Sequence, residues 1–144
     1  MIWRMEVRPL RPDDRSRWDP LWAGYLEFYE QSLAPAVTDD VFGRLASDDA
    51  ELHGLVATDG DELLGFAHVV VHASTWSIGR YVYLEDLFVA PAARGRGIGK
   101  ALIEAVYALA GDRHVHWHTQ ATNTTARALY DRVATDSGFV VYER

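Results

Sequence analysis

Two hydrophobic periods alternate along the chain and predict its elements. Apolar residues recur about every 3.6 residues from Leu21 to Tyr29 and from Ile98 to Leu109, which predicts amphipathic helices. Runs rich in β-branched and aromatic residues predict strands. The predicted strands cover residues 5–10, 52–58, 63–72, 80–89, 114–119 and 139–143, and two of the helices cover residues 98–110 and 124–135.

Polar residues predict where the two earlier helices begin. Asp19 can cap a helix that has Pro20 in its first turn. Thr38-Asp39-Asp40 is a second helix-start signal, ahead of Val41 and Phe42.

Turn signals and element order predict the topology. Asp59-Gly60-Asp61 lies between two strand runs and is typical of a tight hairpin. Residues 74–79 predict a turn before the next strand, so we expect three consecutive antiparallel strands. The strand–helix–strand order from residue 80 to 119 implies a parallel pair. The sequence thus predicts an α+β (mixed α/β) fold in one domain, residues 1–144, with a mixed, mostly antiparallel, twisted sheet of about six strands and about four flanking helices.

Composition and charge narrow the class of protein. The chain has 144 residues, of which 49% are hydrophobic, as in ordinary globular domains. A net charge of −7 argues against a nucleic-acid or acidic-membrane partner and suits a cationic small substrate. Cysteine is absent, which excludes disulfides and a cysteine nucleophile. No apolar run approaches the roughly 18 residues that span a bilayer, and no signal core is visible, so we expect a cytoplasmic protein.

A loop with three glycines and two arginines, residues 94–99, joins the fourth predicted strand to the following helix. Glycine lets backbone approach a ligand closely, and the first amides of a helix have no intrahelical partner and lie at the positive end of its dipole. These features suit a phosphate or diphosphate. From these residues alone, a glycine-rich helix start with two solvated arginines is an equal alternative.

Two familiar phosphate motifs do not fit this loop. A P-loop needs glycine at position 94 and Ser or Thr at 101, where the chain has Arg94 and Ala101. A dinucleotide fingerprint begun at either of the first two glycines meets Lys100 or Leu102 where glycine or alanine is needed.

The loop does fit the pattern Arg/Gln-x-x-Gly-x-Gly/Ala. With "LEDLFV" before it and "KALIEAV" after it, the segment resembles motif A of the GCN5-related N-acetyltransferases (GNAT), and "TQATNTTARALYDRVATDSGF" resembles their motif B. Within that superfamily, "LWAGYLEFYE", "STWSIG" and "SGFVVY" resemble the branch of yeast histone-and-other-protein and D-amino-acid acetyltransferases. "YLEDLFV" is also similar to diamine acetyltransferases. The resemblance spans nearly the whole chain and implies a GNAT-like fold.

The resemblance implies acetyl-CoA (coenzyme A) as the cofactor, with its diphosphate on the loop amides. In motif B, an Asn and a Tyr seven residues later face the cofactor. The cofactor-binding residues expected on this basis are Leu87, Phe88, Val89, Arg94, Gly95, Arg96, Gly97, Ile98, Gly99, Lys100, Asn123, Ala126 and Tyr130.

Two adjacent carboxylates, Glu85 and Asp86, interrupt an otherwise apolar strand. An alkyl ammonium has a pKa of about 10.4, so an amine acceptor needs a base to remove its proton. Neighbouring strand residues face opposite sides unless a bulge intervenes. By the resemblance, Glu85 matches the catalytic glutamate of diamine acetyltransferases and is the expected general base. Asp86 is the second candidate, or a contact for the substrate ammonium. Ordinary hydrogen bonding at a strand edge is the alternative for both.

The resemblance also makes Tyr130 the expected general acid for the coenzyme A thiolate, with packing beside Leu129 as the alternative. We expect a backbone N–H near Leu87–Val89 to meet the oxyanion, because a splayed strand leaves a donor free. No covalent enzyme intermediate is expected.

Aromatic and histidine residues supply weaker candidates. The first helices shape the acceptor site in the resembled family, which makes Tyr25, Tyr29 and Trp76 weak substrate-contact candidates. Core packing is the alternative for the two tyrosines and for Phe28. Three alternating histidines at 114, 116 and 118 would share a strand face, a geometry that can bind metal, but no carboxylate accompanies them and we expect no metal. For His68 and His72 the same choice, between metal binding and an ordinary polar or pocket-lining role, stays open.

The expected function is acetyl-CoA-dependent N-acetyl transfer, by direct attack, to a primary amine: a polyamine, an amino acid or a lysine-like side chain. A non-catalytic acyl-CoA-binding regulatory module and a protein or histone lysine acetyltransferase acting on basic peptides are the alternatives. One strand follows the last predicted helix where many relatives have a hairpin. A lone strand needs a partner edge, so we expect a homodimer with terminal strand exchange.

Overall fold

A five-stranded mixed sheet organises the part of the chain that the structure, a computed structural model, describes: residues 4–144. The strands lie in the order β1-β2-β3-β4-β5, with antiparallel neighbours from β1 to β4 and a parallel β4–β5 pair. The strands are β1 Met5–Pro9, β2 Leu52–Asp59, β3 Glu62–His72, β4 Tyr81–Val89 and β5 Val115–His116. The α-helices are α1 Arg15–Phe28, α2 Pro35–Leu45, α3 Ile98–Ala110 and α4 Thr124–Val133, and short 3-10 turns cover Pro12–Asp14 and Pro91–Ala93.

The predicted α+β class and central topology are confirmed. β2, β3 and β4 form the expected antiparallel meander, and Gly60 adopts a left-handed φ of 59° in the β2–β3 turn. The parallel pair joins Val82 to Val115 and Tyr83 to His116. Of the predicted strand at residues 114–119, only β5 forms.

The starts of the first two helices differ from the sequence prediction. α1 begins at Arg15 rather than at Asp19, and Pro20 lies inside it. Trp18 is fully buried, and we attribute the longer helix to its packing, which outweighs the local preference of Pro20 for a first turn. α2 begins at Pro35, an N1 proline, so the polar triplet at Thr38 lies within the helix.

The predicted terminal strand at residues 139–143 is wrong for this single chain. No helix or strand forms after Val133, and the sheet has five strands rather than about six. Phe139 and Tyr142 are 81% and 91% exposed. A strand pattern is not sufficient by itself, because a strand also needs an edge with which to pair.

The two faces of the sheet carry separate hydrophobic clusters. Leu102, Ile103 and Val106 of α3 pack on one face. The opposite face holds the aromatic residues of α1 and α2 with Phe66 and Phe88 of the sheet. α1 therefore lies on the side of β4 opposite to α3.

A buried carboxylate ties the end of β1 to the start of α1. Asp14 is fully buried, and its two oxygens accept from Arg8 Nη1 and Nη2 at 2.8 and 2.9 Å, from Arg17 Nη2 at 2.6 Å and from the Arg11 backbone N–H at 2.8 Å. The hydrogen bond from Arg8 is the main reason that the pKa of Asp14 lies below its usual value.

We expect Asp14→Asn to lower the free energy of unfolding by about 2–4 kcal/mol, because it removes the buried carboxylate on which the partly buried Arg8 and the Arg17 cation converge. Asp19→Asn, in an exposed pair with Arg15, should cost less than about 1 kcal/mol. Because folding depresses the pKa of Asp14, its contribution is present above the unfolded pKa and is lost as pH falls through the folded value. Denaturant unfolding near pH 7 and below about pH 4 tests both points, and equal losses in the two variants would contradict them.

Candidate active site

A β-bulge in β4 determines how the two adjacent carboxylates are presented. His68 of β3 pairs with Asp86, and the next β3 residue, Val69, pairs with Leu84, so Glu85 is the extra residue. A bulge of this kind interrupts the alternation of side chains. Glu85 and Asp86 are therefore released from the rule that neighbours in a strand face opposite sides.

The clusters on either side of the sheet show the resulting change of register. Leu84 before the bulge and Leu87 and Val89 after it pack with the α3-side cluster. Phe88 packs with the α1-side cluster, and Asp86 bonds to His68 beneath α1. Without the bulge, Leu84, Asp86 and Phe88 would have shared one face.

Glu85 lies beside a group of aromatic residues. It lines a small cavity with Tyr25 of α1, with Tyr29 just after α1 and with Tyr130 of α4; the remaining lining residues are Leu84, Leu87, Trp117 and His118. Tyr25 also approaches the Glu85 carbonyl oxygen with its hydroxyl, at a long 3.5 Å. Partial desolvation, assisted by the charge of Asp86, raises the pKa of Glu85 above its ordinary value. A carboxylate of raised pKa is a better proton acceptor.

Asp86 is held from beneath by a histidine. His68 Nδ1 lies 2.9 Å from Asp86 Oδ2, and His68 Nε2 lies 3.1 Å from Trp18 Nε1. Trp18 and His68 are both buried, whereas the Asp86 side chain keeps 15% of its surface accessible. Burial and the nearby Asp86 charge raise the pKa of Tyr25, so this hydroxyl stays protonated.

Tyr130 brings a phenol into the same cavity from the other side. Its ring lies edge-on to Trp117, with centroids 5.4 Å apart. Burial raises the pKa of Tyr130 to about 12, so the hydroxyl is a proton donor throughout the neutral range. The structure thus brings together four of the predicted residues, Glu85, Tyr25, Tyr29 and Tyr130, with Asp86 adjacent.

The glycine-rich loop follows β4 directly and adopts a backbone that only glycine accepts readily. Gly95 and Gly97 have φ of 81° and 78°, and Gly97 is the N-cap of α3 without a side-chain cap. A Cβ at either position would meet nothing within 4 Å, so conformation rather than crowding explains these glycines. Arg94 stabilises the turn, since its Nε donates to the Val89 carbonyl at 3.1 Å and its guanidinium lies 5.7 Å from the centre of the Phe88 ring.

Helix α4 packs against the first turn of α3 through Leu129. A Cβ on Gly99 would lie 3.2 Å from Leu129 Cδ2, so glycine permits close packing of α3 on α4. Asn123 caps α4 by accepting from the Ala126 N–H at 3.3 Å. Its carboxamide NH₂ is not consumed by the cap. Ala126 is partly buried, while Lys100 pairs at 3.7 Å with Glu104 on the exposed side of α3.

The edge of β4 beyond the β5 pairing is open. The last β4 residue that pairs with β5 is Tyr83. Leu87, Phe88 and Val89 therefore have no β5 residue opposite them among residues 4–144. An open strand edge presents backbone donors and acceptors to a ligand.

Other predicted residues lie apart from this group. Trp76 is 80% exposed and lines a different cavity with Arg80, Asp112 and His114. Phe28, for which core packing was the alternative, is 54% exposed. Within residues 4–144, no cluster of three or more His, Asp or Glu could hold a metal ion, and no helix is both long and apolar enough to cross a bilayer.

Comparison with known proteins identifies the class. Residues 15–134 match the acetyltransferase (GNAT) family, and the chain belongs to that family. It is an N-acetyltransferase that acts on amines with acetyl-CoA as its cosubstrate.

Individual proteins similar to this chain are also named as acetyltransferases. The chain is 35% identical over 146 residues to D-amino-acid N-acetyltransferase HPA3 of Saccharomyces cerevisiae, covering 98% of this chain and 91% of that protein. It is 33% identical over 89 residues to thialysine N-epsilon-acetyltransferase of Caenorhabditis elegans, covering 60% and 55% of the two chains. The aminoglycoside N-acetyltransferase AAC(6')-Iy in complex with CoA has the same fold, with a TM-score of 0.85 at 21% identity over 100% of this chain and 96% of that one.

Proposed function

We propose that the protein transfers the acetyl group of acetyl-CoA directly to a primary amine, with Glu85 as general base and Tyr130 as general acid. The bulge carries this proposal, because it presents Glu85 in one cavity with Tyr130, within the strand that leads towards the glycine-rich loop. The loop and the open edge of β4 would hold the diphosphate and the adjoining part of the cofactor.

Each proton in the proposed reaction has a defined route. Glu85, directly or through water, takes a proton from the ammonium, and the free amine attacks the thioester carbonyl. A backbone N–H of Leu87–Val89 stabilises the oxyanion. The C–S bond then breaks, the departing sulfur takes a proton from Tyr130, and solvent returns a proton to Tyr130. The acetylated nitrogen loses its second proton to solvent and Glu85 releases the first, so one proton is released per turnover. Because a thiol has a pKa of about 8.5, below that of Tyr130, the hydroxyl first stabilises the leaving sulfur by a hydrogen bond, and its proton follows as solvent reprotonates the phenol.

A small cationic amine fits the acceptor side best. Glu85 and Asp86 are adjacent acidic groups, and Glu85 shares the small cavity with three tyrosines; neither lysine nor arginine is among the described residues that line it. The relatives are named for D-amino acids and for thialysine, both of which carry a primary amine. We therefore place polyamines, amino acids and lysine-like side chains ahead of basic peptides, and we expect the enzyme to act in the cytoplasm.

Release of free thiol from acetyl-CoA tests the function. A panel of polyamines, D- and L-amino acids, thialysine and a lysine-containing basic peptide should show amine-dependent release with at least one small amine. Release with the peptide alone would instead identify a protein acetyltransferase. Tight acetyl-CoA binding without release on any amine would contradict the proposal.

Tyr130→Phe should lower kcat about 10- to 100-fold and change the KM for acetyl-CoA little, because only the donor to the leaving sulfur is lost. Tyr107→Phe is the matched control, since the Tyr107 hydroxyl bonds the Val133 carbonyl at 2.8 Å outside the cavity. Steady-state kinetics on both variants tests the role. A Tyr130→Phe enzyme with wild-type kcat would remove the assigned acid.

We also propose a homodimer in which residues 139–143 pair with a second subunit. Val140 and Val141 are 76% and 56% exposed, between two aromatic residues that are more exposed still. Light scattering after gel filtration should give a dimer for the full chain and a monomer for a chain truncated after Gly138. A chain lacking only the last two residues is the control and should stay dimeric. A monomeric full chain would contradict the exchange.

A further inference from the structure

A buried line of three side chains runs from α1 through β3 to the active-site strand. Trp18 donates from Nε1 to His68 Nε2 at 3.1 Å, and His68 Nδ1 lies 2.9 Å from Asp86 Oδ2. The three residues are 50 and 18 positions apart in the sequence, so only the fold unites them. None of the catalytic steps proposed above uses Trp18 or His68.

The chemistry of the three groups fixes where the protons lie. An indole N–H can only donate, so His68 Nε2 must accept and carry no proton. The single ring proton then sits on Nδ1 and is donated to Asp86 Oδ2, an acceptor that is strongest as a carboxylate. His68 is thereby held neutral, and the unit keeps one full negative charge on Asp86.

Packing prevents the imidazole from turning away. The His68 ring stacks on Phe66, with centroids 4.2 Å apart and planes within 7°, and it also contacts Trp18 and Trp22. The His68 side chain is 4% exposed. Asp86, at the outer end of the line, lies beside Glu85 and close enough to Tyr25 to influence its hydroxyl.

We propose that Trp18 and His68 are positioning residues that hold Asp86 as an ionised carboxylate at the acceptor site, where its second oxygen, Oδ1, binds the ammonium group of the incoming amine. This inference rests on the proposed function. It gives the two neighbouring carboxylates separate roles: Asp86 binds the charged amine, and Glu85 removes its proton.

Two substitutions of His68 separate a positioning role from a packing role: one removes the hydrogen-bond donor, and the other replaces it by a donor of similar reach. His68→Leu should raise the KM for the amine about tenfold, as expected when a carboxylate loses a buried donor, with the KM for acetyl-CoA nearly unchanged. His68→Asn, whose Nδ2 can replace Nδ1 as the donor, should recover most of the amine affinity. A merely structural role predicts no such rescue.

The tryptophan offers a matched pair of variants. Trp18→Phe removes the indole donor and frees His68 Nε2 to take a proton, so that a histidine cation formed in acid would neutralise Asp86. Trp22→Phe removes a buried N–H that has no hydrogen-bond partner within residues 4–144, from the same aromatic cluster. The other ionisable groups near the unit are Glu85, Tyr25, Tyr29 and Tyr83, with Arg15 over the outer side of Trp18; all are unchanged in both variants.

The experiment is the pH dependence of the amine KM in these four variants, with ¹⁵N NMR of the His68 ring. The wild type and Trp22→Phe should show the Nδ1–H tautomer and a similar amine KM across neutral and mildly acidic pH. Trp18→Phe should show a protonated ring and a rising amine KM as pH falls. If a folded His68→Leu enzyme has the wild-type amine KM at every pH, the inference is overturned and the proposed function stays intact. If His68→Leu does not fold, the same result with Trp18→Phe overturns it. Absence of turnover by the wild type on every amine would overturn both.

Discussion

Glu85→Gln should lower kcat about 100-fold or more with an amine acceptor, because glutamine cannot take the proton that the ammonium must lose. Partial desolvation and the charge of Asp86 raise the pKa of Glu85, so the wild type should lose activity on the acid side as Glu85 protonates above its ordinary pKa. In the variant that acid-side loss should disappear. Its residual rate should instead climb with pH towards the pKa of the amine itself, about 10.4.

Rates of thiol release across a pH series, with saturating acetyl-CoA, measure this effect. Glu62→Gln changes an exposed carboxylate at the start of β3 and should leave the profile unchanged. If Glu85→Gln keeps the wild-type rate and profile, the base is another group, and Asp86 is the next to test.

Gly97→Ala should weaken acetyl-CoA binding about 10- to 100-fold. The φ of 78° at the N-cap of α3 disfavours any side chain, so alanine would shift the backbone and turn the first amides of the helix away from the diphosphate. Calorimetry with coenzyme A measures the loss, and a diphosphate-free thioester such as S-acetylpantetheine should be much less sensitive to the substitution.

Gly60→Ala is the matched control for backbone strain. Gly60 has a φ of 59°, and a Cβ there, as at Gly97, would meet nothing within 4 Å. Both variants should lose about 1 kcal/mol of unfolding free energy, but only Gly97→Ala should lose cofactor affinity. Equal, unaltered cofactor binding in both variants would contradict a role for this loop.

The parts of the site that sequence predicts are those carried by short contiguous segments. Residues 94–99 predict a helix start suited to an anion, because glycine and arginine act through their own backbone and charge. Glu85 can be recognised as a candidate from the sequence, because a carboxylate in an apolar strand is exceptional. In the same way, the Asp59-Gly60-Asp61 turn needs only its own residues to form the β2–β3 hairpin.

The parts of the site that the sequence does not predict depend on contacts between residues distant in sequence. The bulge at Glu85 exists only in the register of β4 against β3. His68 shows one signal, a lone polar residue within the run "LLGFAHVVV", but nothing nearby identifies Trp18 and Asp86 as its partners. Residues 139–143 fail in the opposite way: their pattern is that of a strand, yet in the single chain they pair with none of the five strands.

The proposed function depends most on anchoring of the cofactor by the loop between β4 and α3. A crystal structure with bound coenzyme A is the decisive test of that anchoring. We predict that the diphosphate oxygens lie within hydrogen-bond distance of backbone N–H groups in residues 94–100, with the sulfur directed towards Glu85 and Tyr130. A diphosphate bound elsewhere on the protein, or a sulfur remote from that cavity, would contradict it.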